Sequence, residues 1–187
     1  MNKENMEKGI KAEKLFEQYL NSENIPFYRI DQNKESQSEE FKSKNIRRPD
    51  YLIHTKRGVF YIDVKYREKK PFGLNCEERF PIDQYNIKTL FQFQEQLHHD
   101  VWLAFTDVLN KPHFLYTTIS QIYEYYKNIE KLYIEKNYQK FSRVFMYIPN
   151  ALFSFNRLSF DKGFYNEPDL RYFEEEIEYL RKIANYR

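Results

Sequence analysis

One cysteine, Cys76, is all the chain contains, which excludes an internal disulfide framework and any cysteine-rich zinc site. Glycine is scarce as well, four residues in all, so few turns can rely on backbone conformations that only glycine tolerates. No apolar run approaches the length of a membrane span, and no internal repeat is visible, which argues against a solenoid. The opening residues MNKENMEKGIKAEKLF lack the apolar stretch of a secretion signal, so a cytoplasmic location is the expectation. An excess of one charge is missing too. With 30 basic against 28 acidic residues, net charge alone announces no nucleic-acid binder.

What is present in quantity is aromatic surface. Seventeen Tyr and seventeen Phe can fill a large core, so the mean hydropathy of −0.85 reflects a charged shell and not disorder. A length of 187 residues fits one domain with a real core. The charges are also unevenly placed. From Lys42 to Lys70 there are ten Lys or Arg against three acids, whereas Glu167 to Arg187 holds six acids and four bases.

Along the chain, Met6, Ile10, Leu15, Phe16, Tyr19 and Leu20 follow helical spacing and predict an amphipathic helix over Glu4 to Leu20. Ile25 to Ile30 reads as a strand, and Gln32 to Asn45 as a polar, flexible connection. Tyr51 to His54 and Val59 to Tyr66 read as two strands around a turn at Lys56, Arg57 and Gly58. After a loop containing Pro71, Gly73 and Pro81, Asp83 to His98 reads as a helix, followed by strands at Val101 to Thr106 and His113 to Thr117. Ser120 is placed to cap a helix running to about Lys136, Arg143 to Ile148 is a candidate late strand, and Pro168 suits the first turn of a last helix. This order of elements predicts an α/β or α+β domain, helices packed on a mixed sheet.

The pattern acid-x-Lys occurs three times, at Glu40/Lys42, Asp63/Lys65 and Glu68/Lys70, about the number chance provides in so charged a chain. Context separates them. Glu40 and Glu68 sit in polar surroundings, while Asp63 and Lys65 interrupt the apolar run VFYIDVKY. A period of two puts Phe60, Ile62 and Val64 on one face, and Tyr61, Asp63 and Lys65 on the other. If the hairpin closes through Thr55 to Gly58, Tyr51 faces Ile62 and Asp50 lies opposite Asp63. Two carboxylates about 4 Å apart repel by on the order of 4 kcal/mol at an effective dielectric near 20, a repulsion that a divalent cation converts into attraction.

Pro49-Asp50, twelve residues, then Asp63-Val64-Lys65 resembles the PD-(D/E)XK nuclease superfamily, hairpin placement included. The likeness spans about Gly9 to Thr106. It implies a restriction-endonuclease-like mixed central sheet flanked by helices, with a nuclease core over residues 1–119. Residues 120–187 then form a C-terminal extension, with additional helices, packed on the same domain. It further implies that Asp50, Asp63 and the Val64 carbonyl bind Mg²⁺, for which Mn²⁺ can substitute, and that Lys65 orients or activates water. The family often carries a Glu on the first helix, and the spacing Gly9-x-x-x-Glu13 favours Glu13 over Glu17 as that catalytic and metal-binding helper. On the helix after the motif, Gln84, Tyr85 and Lys88 are all candidates for a further family position.

Arg47, Arg48, Arg67, Lys69 and Lys70 flank these residues and are candidate contacts for DNA phosphates. Tyr61 and Tyr66 read more simply as packing than as base-stacking groups. His98-His99-Asp100 reads as a helix end, since neighbours on a helix point apart, and Cys76, with no evident His partner, reads as inert. A metal-dependent deoxyribonuclease is the leading expectation, and a homodimer would supply two sites for cutting two strands. Its rivals are a catalytically inactive nucleic-acid-binding relative and a protein-interaction module.

Overall fold

In the computed structural model, residues 3–72, 77–111, 113–134, 145–148 and 158 are described. Helix α1 (Lys3–Ser22) leads into strand β1 (Phe27–Arg29), a single 3₁₀ turn at Lys34–Ser36 and the short helix α2 (Glu39–Ser43). The hairpin β2 (Tyr51–Thr55) and β3 (Gly58–Tyr66) follows, then β4 (Lys70–Phe72), β5 (Glu77–Asp83) and α3 (Gln84–Leu97). Strands β6 (Val101–Thr106) and β7 (Leu115–Thr118), helix α4 (Ile119–Ile134) and strand β8 (Phe145–Ile148) complete the order. The main sheet runs β1-β2-β3-β6-β7. It is mixed: β3 and β6 are parallel, while β1 to β3 and β6 to β7 pair antiparallel. Among the described residues no helix is long and apolar enough to cross a membrane.

Two cores sandwich this sheet, the expected result when both faces of a partly parallel sheet carry apolar residues. On one face Ala12, Phe16 and Leu20, spaced four apart along α1, pack on Tyr51, Ile53, Ile62, Val64 and Ala104. The Phe16 ring meets Phe114 edge-on at 5.0 Å. On the other face Ile87, Leu90 and Phe93 of α3, with Ile119, Ile122 and Tyr125 of α4, cover Val101, Leu103 and Phe105 of β6. Helix α4 begins with a capping box that Ser120 does not form. Thr118 Oγ1 accepts the Gln121 N–H at 3.1 Å, and Gln121 Oε1 accepts the Thr118 N–H at 3.0 Å. Ser120 Oγ instead bonds Gln94 Nε2 at 2.6 Å, tying α4 to α3.

Several local expectations need correction. The connection read as flexible holds the 3₁₀ turn and α2, the latter capped by Ser38 Oγ. The loop read around Pro71 and Pro81 is a second sheet, β4-β5-β8. Pro81 is admissible there because β4 pairs with the first half of β5 and β8 with the second, so Pro81 has a strand on one side. On α1, Met6 and Ile10 are exposed, and the buried stripe is Ala12-Phe16-Leu20. The expected helix at Pro168 and the single Cys76 lie outside the described residues.

Candidate active site

The β2–β3 hairpin sets the site. Its observed register pairs Tyr51 with Ile62, Leu52 with Tyr61 and Thr55 with Gly58, the phase that sets Asp50 across from Asp63. Lys56 and Arg57 make the turn, and Gly58 takes φ +139, a conformation that favours glycine. Asp50 stands at the end of the ladder. Its N–H donates to Ile62 O at 3.0 Å, and its carbonyl accepts the Ile30 N–H at 2.8 Å. Pro49 has no N–H to donate, and its carbonyl is taken by Gln32 Nε2 at 2.8 Å, so backbone pairing stops there.

The carboxylate of Asp50 takes over where the backbone ends: its Oδ2 accepts the Val64 N–H at 2.8 Å. In a strand, one residue's N–H and C=O point toward the same edge. The Val64 carbonyl therefore also faces this ladderless edge, where Lys65 Nζ approaches it at 3.4 Å. Asp63 and Lys65 share the face turned toward α3, with Asp63 at 0% exposure and Lys65 at 4%. They form a direct ion pair, and Arg47 Nη2 reaches the other Asp63 oxygen at 3.2 Å. Arg47 Nη1 donates to Asn86 Oδ1 on α3 at 2.9 Å.

The charges follow from this packing. Burial first, and the Asp63 charge second, push the Asp50 carboxyl up to about 7. Burial also pushes Asp63 up, but Arg47 and Lys65 outweigh it and hold that carboxyl below its ordinary range. Burial lowers Lys65, against the pull of Asp63. Asp63 raises Arg47, with Asp50 and Glu13 adding to it. The two acids are thus unequally served: two cations contact Asp63, and Asp50 has one backbone donor. Hard oxygen donors suit Mg²⁺ or Mn²⁺; Asp50, Asp63 and the Val64 carbonyl are the groups here that could supply them, and Asp50 is the one short of positive charge.

The remaining expected residues are placed as follows. Glu13 forms an ion pair with Arg29 Nη2 at 2.6 Å. Among the described residues no three His, Cys, Asp or Glu side chains gather where they could hold a metal, so Glu13 does not complete such a cluster with the two aspartates. Arg48 binds its own chain, donating to Asn33 O at 2.8 Å and Ser36 Oγ at 3.0 Å. Arg67 is half-buried with Nη1 on Tyr66 O at 2.6 Å, Lys69 sits 5.3 Å from the Phe80 ring centre, and Lys70 is exposed. Tyr61 packs edge-on against Phe93 at 5.1 Å, and Lys8 covers Tyr66 at 5.6 Å. His98 ends α3 in the left-handed conformation, φ 53, as a helix end. On α3, Tyr85 bonds Asn45. The α3 residue tied to the site through Arg47 is Asn86, which sequence patterns did not single out.

No family model matches the chain, and no curated protein does. Among solved structures the chain is similar to Hjc, a Holliday junction resolvase from Archaeoglobus fulgidus. The identity is 13% and the TM-score 0.45, with 78% of this chain and 91% of that chain covered.

Proposed function

We propose that this chain is a metal-dependent nuclease that hydrolyses phosphodiester bonds in DNA. One observation carries the reading: the hairpin register sets Asp50, at the end of β2, across from Asp63 of β3, with the Lys65 ammonium on Asp63 and all three residues buried. Burial and the Asp63 charge both oppose an ionised Asp50, so its place across from Asp63 costs the fold stability at neutral pH. Such pairs cluster where chemistry requires them.

Asp50, Asp63 and the Val64 carbonyl would hold Mg²⁺, with Mn²⁺ as a substitute. When bound, the ion supplies Lewis-acid polarisation of the phosphate and a lowered pKa for coordinated water. Lys65, fixed two residues from Asp63 on the same strand face, positions the attacking water and offsets charge that grows on the phosphate oxygens. Its burial lowers the cost of giving up a proton, so it can also take part in proton transfer. Arg67, Lys69 and Lys70, on the segment leaving β3, bind neighbouring phosphates. Arg48 contributes through the loop that it braces.

The test is incubation of mixed duplex, branched and single-stranded DNA with wild type, Asp63→Asn and Lys65→Ala, in Mg²⁺ or EDTA. Cleavage by wild type in Mg²⁺ alone is the expected result. Equal cleavage by all three proteins, or cleavage that persists in EDTA, would defeat the proposal.

A further inference from the structure

Asp63 is contacted by two cations that differ in their freedom to leave. Lys65 belongs to the same strand and its side chain is 5% exposed, so its ammonium has little open space to move into away from the acid. The Arg47 side chain is 34% exposed and comes from the loop before β2. Its backbone is well anchored. Ile46, one residue earlier, is buried in the core under α3 at 2% exposure, and its N–H donates to Phe41 O at 2.9 Å. Any change at this contact therefore falls to the arginine side chain. The guanidinium fork is split, one nitrogen on Asp63 and the other on Asn86 of α3, so Asn86 aims the fork at the acid.

We propose that Arg47 is an internal counter-ion standing in for the metal, displaced from Asp63 when a divalent cation binds and handed to a phosphate of the incoming DNA. This rests on the metal-centre reading above and adds an order of events to it. Without the metal, the guanidinium joins Lys65 in offsetting the buried Asp63 charge, on the carboxylate oxygen that Lys65 does not pair with. With the metal bound, the same guanidinium faces a like charge, and its path outward is the open one. The five-donor fork that fits a carboxylate also fits a phosphate, so leaving one anion and meeting another needs no new chemistry.

The experiment is Mn²⁺ titration calorimetry on the full chain, wild type beside Arg47→Gln, Asn86→Ala and Asp63→Asn. An opposite charge within a few ångströms shifts a carboxylate by a unit or more, so Arg47→Gln should bind Mn²⁺ about tenfold more tightly. Asn86→Ala, which keeps the charge and loosens its aim, should shift affinity the same way by less. Equal or weaker Mn²⁺ binding by a natively folded Arg47→Gln overturns the inference. If that variant fails to fold, Asn86→Ala decides by the same criterion. Mn²⁺ binding by wild type that Asp63→Asn abolishes keeps the metal-centre reading whichever way Arg47 falls. Absence of Mn²⁺ binding in both wild type and Arg47→Gln ends that reading and this one together. The hand-over is read from duplex DNA binding in Ca²⁺ and in EDTA. Arg47→Gln should lose most of the affinity that Ca²⁺ adds and match wild type in EDTA. An equal loss in both conditions overturns that half.

Discussion

Asp50→Asn should make the metal-free protein more stable at neutral pH and no more stable at low pH. Burial and the neighbouring Asp63 charge raise the Asp50 carboxyl from 3.8 to about 7, a shift worth about 4 kcal/mol. Between these values the folded chain keeps a proton that the unfolded chain has released, so unfolding free energy falls as pH rises. The contribution is whole below the unfolded value of 3.8 and gone above about 7. Asp63 acts in a separate window: its carboxyl is held low, so its contribution is lost only as pH falls below the ordinary carboxylate range. Asparagine carries no charge to desolvate, and its amide oxygen can still accept the Val64 N–H. At pH 7.5 in EDTA the variant should gain up to about 4 kcal/mol, or roughly 8 to 16 °C in melting temperature for a chain of this size. At pH 4 the two proteins should melt together. Thermal melts by circular dichroism across that range decide the matter. Parallel pH profiles, or a variant less stable than wild type at pH 7.5, would refute the placement of Asp50 as a buried, underserved acid.

Three further outcomes follow from the same contacts. Lys65→Ala should lower single-turnover DNA cleavage in Mg²⁺ by about 100-fold or more while the far-ultraviolet spectrum is kept, because a donor aimed at developing charge is lost. Thr118→Ala removes the side-chain half of the α4 capping box and should cost about 1 kcal/mol in urea unfolding without touching cleavage chemistry. Phe16→Ala, which empties a fully buried site between Tyr51 and Phe114, should cost about 3 to 5 kcal/mol in the same assay.

The parts of the fold legible in the sequence are those with strong periodicity. VWLAFT is β6 at Val101–Thr106, and α3 runs Gln84–Leu97 with Asp83 as its cap, because runs of apolar residues bounded by polar ones leave little choice of period. In the second sheet β8 falls within the expected late strand at Arg143 to Ile148, but β4 and β5 were illegible for the opposite reason. Strand β5 carries Glu77, Glu78, Arg79 and Pro81, residues that disfavour strands locally; its first half is held by the short β4, and its second half by Phe145–Ile148, more than sixty residues onward. Helix α2 is one turn and a half with Phe41 as its single apolar residue, too short for any period to show.

The site divides along the same line. Asp50, Asp63 and Lys65 could be brought together from sequence because a hairpin's register is a local property: once the turn is placed, every rung follows. Arg47 and Asn86 could not, because their meeting depends on how a loop before β2 and a helix after β5 settle on one another, which no short window records. Yet the hairpin alone leaves the acids in an arrangement that burial makes unstable. Lys65 on Asp63 and the Val64 N–H on Asp50 answer part of that from within the hairpin, and Arg47, reaching Asp63 at 3.2 Å from outside it, adds the second cation that no local pattern supplies.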